Sequence, residues 1–173
     1  MTTNDMYLQL DDKQRKALIR LLAALAKADG FIDPMEQDFL TLFMGTPDPD
    51  LMESEIKALP APTTEDFEVL GGPNAETIYW LCSVLVCTDE HVDEKELPLL
   101  ANYAKSLKIK AEKVSTLDAN ARQEVLERHC RKAAAARDDK VRRATSLSII
   151  ADQLGVPAAE VKRLREQYSI PEE

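Results

Sequence analysis

One acidic motif occurs twice in this chain, at residues 29–36 and, sixty positions later, at residues 89–96. Each copy consists of Asp, two residues, a β-branched apolar residue, Asp, two residues and Glu. An apolar, helix-like segment precedes both copies, at 21–28 and 81–88. An internal repeat of this kind predicts two related units, each made of a helix, a tight acidic turn and a second helix.

The rest of the chain also favours helices. Apolar residues make up 45% of the sequence and charged residues 31%, which is typical of a soluble globular protein. Nearly every apolar segment has helical spacing, and five glycines with few β-branched runs argue against a sheet. We therefore expect an all-α fold, a single compact domain over 1–173 with about seven or eight helices. Residues 11–117 would contain the two acidic units and 118–173 the C-terminal helices.

Several helices can be placed by their apolar faces and breakers. Residues 75–88 are apolar nearly all round, which predicts a central helix packed antiparallel to, or across, the helix at 13–28. Residues 34–44 and 94–107 should each bury one face, and a polar helix at 119–136 should lie outside. The side chains expected to begin helices are Asn74, Asp93 and Asp118, and those expected to face inward include Met35, Phe39, Leu42, Phe43, Leu97, Leu100 and Tyr103.

Four of the six repeated acidic residues have a structural explanation. Asp33 followed by Glu36 is a capping box with Pro34 at the first helical position, and Asp93 with Glu96 repeats the box. Asp29 and Asp89 are different, because each falls at the C-terminal end of a predicted helix, where an anion is disfavoured. Two such aspartates at matching positions indicate a nearby cation.

The first acidic turn partly matches a calcium-binding EF-hand loop. Asp29, Gly30, Ile32, Asp33 and Glu36 would be loop positions 5, 6, 8, 9 and 12. The first half of the loop fails, because positions 1 and 3 would be Leu and Lys. A standard EF-hand is therefore excluded, while carboxylate oxygens still suit calcium, magnesium or manganese.

Over residues 13–117 the chain resembles the TerB-like family of tellurite-resistance proteins. The resemblance rests on the motif Ala-Asp-Gly-x-Ile-Asp-x-x-Glu at 28–36 and on Thr-Asp-x-x-Val-Asp-x-x-Glu at 88–96. It implies an all-helical, acidic, cytoplasmic bacterial protein that acts in a stress response and binds divalent metal through paired acidic motifs. Glu90 replaces the usual Gly of the second motif. By motif match the metal-facing residues would be Asp29, Asp33, Glu36, Asp89, Asp93 and Glu96.

The charge distribution limits the partners. The net charge is −9, but residues 1–103 hold 20 acidic and 7 basic side chains, whereas 104–173 hold 11 and 15. The whole protein should repel nucleic acid and anionic membranes, and the uneven charge favours a protein partner. No apolar stretch approaches the roughly 20 residues that span a bilayer, so we expect a cytoplasmic protein.

The sequence favours no enzyme, because it contains two histidines and neither a nucleophile motif nor a phosphate-binding glycine loop. Two alternatives to the metal-binding hypothesis remain. One is an acidic adaptor or immunity-type module that binds a protein without metal. The other is DNA binding through residues 147–166, which have helix-turn-helix spacing with Lys162, Arg163 and Arg165 available to phosphates.

Overall fold

The computed structural model describes residues 10–44, 49–89, 94–135 and 146–170. These four ranges contain nine α-helices and one 3₁₀ turn, and no β-strand is present in them. The helices are α1 (Asp12–Ala26), α2 (Pro34–Met44), α3 (Pro49–Ala58), α4 (Thr64–Leu70), α5 (Ala75–Val86), α6 (Glu96–Ser106), α7 (Ala111–Ala135), α8 (Leu147–Leu154) and α9 (Ala158–Tyr168).

The all-helical class is confirmed, but the helices outnumber the seven or eight expected. The short helices α3 and α4 are separate elements, because Pro60 and Pro62 interrupt the segment between them. Among the described helices none has the length and apolar character that a membrane span requires.

Helix α5 is the centre of the molecule, as its apolar sequence predicted. It packs against α7 on one side and against α1 and α6 on others. Nine of its twelve residues are buried, including Ser83. Because α5 is surrounded, the residue that follows it, Cys87, lies in the interior and brings the second acidic turn close to the core.

Helix α1 is the second organising element. It contacts α2, α4, α5 and α6, and its buried face includes Leu18, Leu21, Leu22 and Leu25. Two polar contacts tie it to its neighbours. The Tyr103 hydroxyl of α6 donates a hydrogen bond to the Leu21 carbonyl at 3.2 Å, and the Arg20 guanidinium forms an ion pair with the buried Asp66 of α4.

Asp118 does not cap a helix, contrary to the expectation from sequence. Helix α7 starts at Ala111 and continues without a break through Asp118. The Asp118 carboxylate points to α5, where Oδ1 accepts hydrogen bonds from the Tyr79 hydroxyl (3.0 Å) and from the Ser83 hydroxyl (2.8 Å). A residue type typical of helix ends is used here to join α7 to the central helix.

Two further helix starts differ from the expectation. Asn74 precedes α5 as predicted, but its side chain makes no capping hydrogen bond because a 3₁₀ turn, Gly72–Asn74, leads into the helix. Helix α6 begins at Glu96 rather than at residue 94 as expected, and Asp93 of the predicted capping box lies outside the described residues. Pro98 therefore lies in the first turn, where backbone N–H groups have no helical acceptor to lose.

Three apolar side chains predicted to face inward are exposed instead. Met35 is 37% exposed, Leu42 55% and Leu97 44%, whereas Phe39, Phe43, Leu100 and Tyr103 are buried as expected. Helical spacing places all these residues on apolar stripes, but only part of each stripe is covered by another helix.

The ends of α6 and α8 have the same geometry at an offset of 47 residues. Lys108 and Gly155 both have left-handed backbone conformations, with φ of 59° and 66°. Ile109 N donates to Ala104 O at 2.9 Å, and Val156 N donates to Ala151 O at 2.8 Å. These are the long-range hydrogen bonds of a Schellman helix end. At the same offset Leu100, Leu107 and Ile109 correspond to the apolar residues Leu147, Leu154 and Val156, so the shared helix end accompanies a similar apolar sequence.

Candidate functional site

The first acidic turn is held by its own backbone hydrogen bonds. Helix α1 ends at Ala26 with Lys27 as its C-cap, and Gly30 has a φ of +94°, which favours glycine. Asp29 Oδ1 accepts a hydrogen bond from Phe31 N at 2.8 Å. Asp29 lies three residues beyond the helix, and its carboxylate stabilises the turn through this hydrogen bond. The sequence did not reveal this contact.

The start of α2 has the predicted capping interactions. Asp33 Oδ1 accepts from Met35 N at 2.7 Å, and Glu36 Oε2 accepts from Asp33 N at 2.9 Å. Pro34 is the first helical residue, as expected. Glu36 is 6% exposed, so its second oxygen is also held close to the core.

The second acidic turn is described only in part. Asp89 follows α5 and is half-buried, while Glu96 begins α6 and is 6% exposed. Asp93, a predicted metal ligand and capping residue, lies outside the described residues. The second turn therefore supplies two of its three predicted acidic residues to the described site.

The two turns adjoin, although about sixty residues separate them in sequence. Lys95 Nζ donates a hydrogen bond to the carbonyl oxygen of Asp29 at 3.3 Å. Asp89 is close enough to Glu36 to affect its ionisation. Because each turn follows the C-terminus of its helix, α1 and α5 come together at their C-terminal ends. Of the two packing arrangements expected for them, a crossing fits and a full antiparallel alignment does not.

Burial and negative charge make Glu36 unusual among the acidic residues. Burial raises the pKa of Glu36 to about 7, and the carboxylates of Asp89, Asp29 and Asp33 contribute in the same direction. The hydrogen bond from Asp33 N acts in the opposite direction but is the weaker effect. Placing a buried carboxylate among three others is unfavourable unless a proton or a cation compensates.

The pKa of Cys87 indicates which residues of the second turn lie near the core. Burial raises the pKa of the Cys87 thiol to about 12, and Asp118, Glu96 and Asp89 add to the increase while Arg122 opposes it. Glu96 and Asp89 therefore both lie near the buried end of α5. Cys82, Cys87 and Cys130 are all buried and unpaired as disulfides.

The described side chains alone do not form a group of three or more ligands at metal-binding distances. In the structure Asp29, Asp33 and Asp89 all lie close enough to Glu36 to raise its pKa, and the buried Glu96 lies near Cys87, as Asp89 does. Sequence reasoning missed the burial of Glu36 and Glu96. Their positions beside the apolar residues Ile32 and Leu100 were the available signal, since both of these residues are in the core.

Two basic residues of the helix-turn-helix-like corner between α8 and α9 form polar contacts within the protein. The Arg163 guanidinium donates to both carboxylate oxygens of Glu160, at 2.6 to 3.0 Å, and to Gln167 at 2.8 Å. Arg165 Nη2 lies 3.5 Å from the Ser148 hydroxyl. Because Glu160 already neutralises Arg163, this corner offers less positive charge than the sequence suggests.

Comparison with protein-family models, with curated proteins and with solved structures gives no match to this chain.

Proposed function

We propose that this chain binds a divalent cation where its two acidic turns adjoin, and that it acts as a non-enzymatic TerB-like protein in a stress-response assembly. The observation that supports the cation site is the meeting of the repeated motifs. Asp29, Asp33 and Glu36 from one copy approach Asp89 from the other, and Lys95 joins the turns through the Asp29 carbonyl. Independent accumulation of surface acids would not require matching positions to converge.

The residues present fit a hard cation. Carboxylate oxygens are preferred by calcium, magnesium and manganese. Asp29 and Asp33 each use Oδ1 to accept one backbone N–H, and a carboxylate can still direct its second oxygen to a metal. Together with Asp93, the ligands would be drawn from Asp29, Asp33, Glu36, Asp89 and Glu96. A bound cation would offset the repulsion around Glu36.

Calorimetric titration of chelator-treated protein tests the cation site. We expect saturable binding of calcium, magnesium or manganese to the wild type, and none to a variant with Asp29→Asn and Asp89→Asn. Both substitutions keep an oxygen acceptor, so the turn hydrogen bond to Phe31 should survive. A wild type that binds none of the three ions at concentrations up to about 10 mM, well above the weakest protein calcium sites, would contradict the proposal.

The stress-response part of the proposal is supported by the motif resemblance. Its test is separate from the cation titration. Cells that lack this gene should be more sensitive to tellurite than their parent, and the gene with Asp29→Asn and Asp89→Asn should not restore growth. Restoration by that variant would separate the stress role from the metal.

A further inference from the structure

A groove of about 390 Å³ lies between α2 and α7, and it begins next to the acidic turns, since Met35 belongs to the first motif and Thr88 precedes Asp89. Met35 and Leu42 of α2 form one wall, and Val125, Arg128, Arg131 and Lys132 of α7 form the other. The Arg128 guanidinium of α7 lies over the Phe39 ring of α2, 5.4 Å from its centroid. Leu42, Arg131 and Lys132 are exposed, so the groove is open to solvent.

The α2 wall presents apolar side chains to solvent. Leu42 is 55% exposed and Met35 37%, and they are seven residues apart on the same helix. Seven residues correspond to two helical turns, or roughly 10 Å along the axis, so both side chains point to the same side. Phe31, just before α2, is 64% exposed. Aligned exposed apolar side chains of this kind are typical of a binding surface.

The α7 wall is basic. Arg128 Nε and Arg131 Nη2 donate to the same Glu124 oxygen, at 3.0 and 2.9 Å. One carboxylate oxygen thus serves two guanidinium groups, although Arg131 also lies 3.9 Å from Glu127. Lys132 adds a third positive charge to the wall, while Asp38 is the acidic residue that α2 contributes. The groove accordingly combines an apolar side with a side whose lining carries three basic residues, two of which share the Glu124 carboxylate.

We infer that the groove between α2 and α7 binds an amphipathic, acidic helix of a partner protein. Apolar side chains of that helix would pack on Met35 and Leu42, and its carboxylates would face Arg131 and Lys132. Helices recognised in such grooves present apolar anchors at i, i+4 and i+7, which matches the two-turn spacing on α2. The charge pattern favours an acidic helix over a basic one. This binding does not require the cation.

Selection from a peptide library tests the inference. The library contains 14-residue amphipathic helices with apolar residues at i, i+4 and i+7 and with Glu or Lys at equal frequency on the flanks. Selected on the full-length, chelator-treated chain, it should become enriched in Glu over Lys. The selected peptides should bind at least tenfold more weakly to Leu42→Asp and to Lys132→Glu. Both positions are exposed, so circular dichroism should remain that of the wild type.

Matched controls distinguish binding in this groove from non-specific binding to exposed apolar or charged side chains. Ile149→Asp removes an equally exposed apolar side chain on α8, and Lys105→Glu reverses an exposed charge on α6. Neither should change peptide binding more than twofold. The inference fails if no peptide is enriched, if the enriched flanks show no excess of Glu, or if binding survives Leu42→Asp. It also fails if the wild type sediments as a dimer that Leu42→Asp converts to a monomer, since a second copy would then occupy the groove.

Discussion

The Nζ atom of Lys95 lies 3.3 Å from the carbonyl oxygen of Asp29, so that the second acidic turn is joined to the first by a hydrogen bond to its backbone. A basic side chain next to a cluster of carboxylates supplies part of the positive charge that the cluster needs. The hydrogen bond from Lys95 is to the backbone carbonyl of Asp29, so it leaves the Asp29 carboxylate oxygens to other partners.

Cation binding should stabilise the fold. At about one hundred times its dissociation constant, a bound ion should raise the free energy of unfolding by about 2.7 kcal/mol per site. Asp29→Asn with Asp89→Asn should abolish this gain and raise the stability of the metal-free protein slightly, because it removes two repelling charges. Asp33→Asn should keep the cap of α2 and lose the metal response. Thermal unfolding with and without chelator measures all of these effects.

The control for that comparison removes the same charge elsewhere. Glu55→Gln with Glu112→Gln changes two exposed acidic residues on α3 and α7. It should retain the full stabilisation by metal. Equal loss in the control would mean that the ions act by screening the net charge rather than by occupying the turns.

The metal-free protein should become less stable as pH rises toward neutrality because of Glu36. Its pKa is about 7 in the folded protein, above the ordinary value of 4.5. The folded state therefore holds this proton more tightly than the unfolded state. This contribution is fully present below pH 4.5 and is lost as pH rises through about 7, amounting to on the order of 3 kcal/mol. Urea unfolding at a series of pH values measures it.

Glu36→Gln should flatten that part of the pH profile, since an amide cannot titrate. Its side-chain oxygen can still accept the hydrogen bond from Asp33 N, so the capping contact is preserved. A wild-type profile with the same slope as Glu36→Gln between pH 4.5 and 7 would show that Glu36 is not the titrating group.

Asp118→Ala should destabilise the protein by about 2 to 4 kcal/mol. The substitution leaves the Tyr79 and Ser83 hydroxyls of the central helix without their acceptor, and an unsatisfied buried polar group costs about 1–3 kcal/mol. Asp152→Ala, at an exposed position of α8, should change stability by less than about 0.5 kcal/mol. Equal denaturation midpoints for the two variants would rule out a structural role for the Asp118 contacts.

Lys108→Gly should stabilise the protein by roughly 0.5–1 kcal/mol. Lys108 ends α6 with a φ of 59°, a conformation that costs a residue with a Cβ about 1–2 kcal/mol and costs Gly little. The converse change, Gly155→Ala, should destabilise, because its new Cβ would also lie 3.2 Å from Arg122 Nη1. Chemical denaturation of both variants measures the pair. A Lys108→Gly protein less stable than the wild type would contradict the strain at this position.

Local signals in the sequence were enough to place most helices and the capping hydrogen bonds at the start of α2. The apolar character of 75–88 predicted a central helix, and the Asp33–Glu36 spacing predicted the hydrogen bonds that begin α2. Both depend on contacts within a few residues, which one segment of sequence contains in full. Asp118 shows the limit of such signals, because the same residue type suits a helix cap and a contact between helices.

The sequence by itself determined that the chain is helical and that two acidic turns each follow an apolar helix, because periodicity and turn chemistry are local properties. The tertiary structure decided that these turns adjoin, that Glu36 and Glu96 are buried, and that Met35 and Leu42 face solvent. Burial and proximity depend on which helices cover which faces. That outcome is set by the packing of α1, α5 and α7 around one core, and no single segment of the sequence contains it.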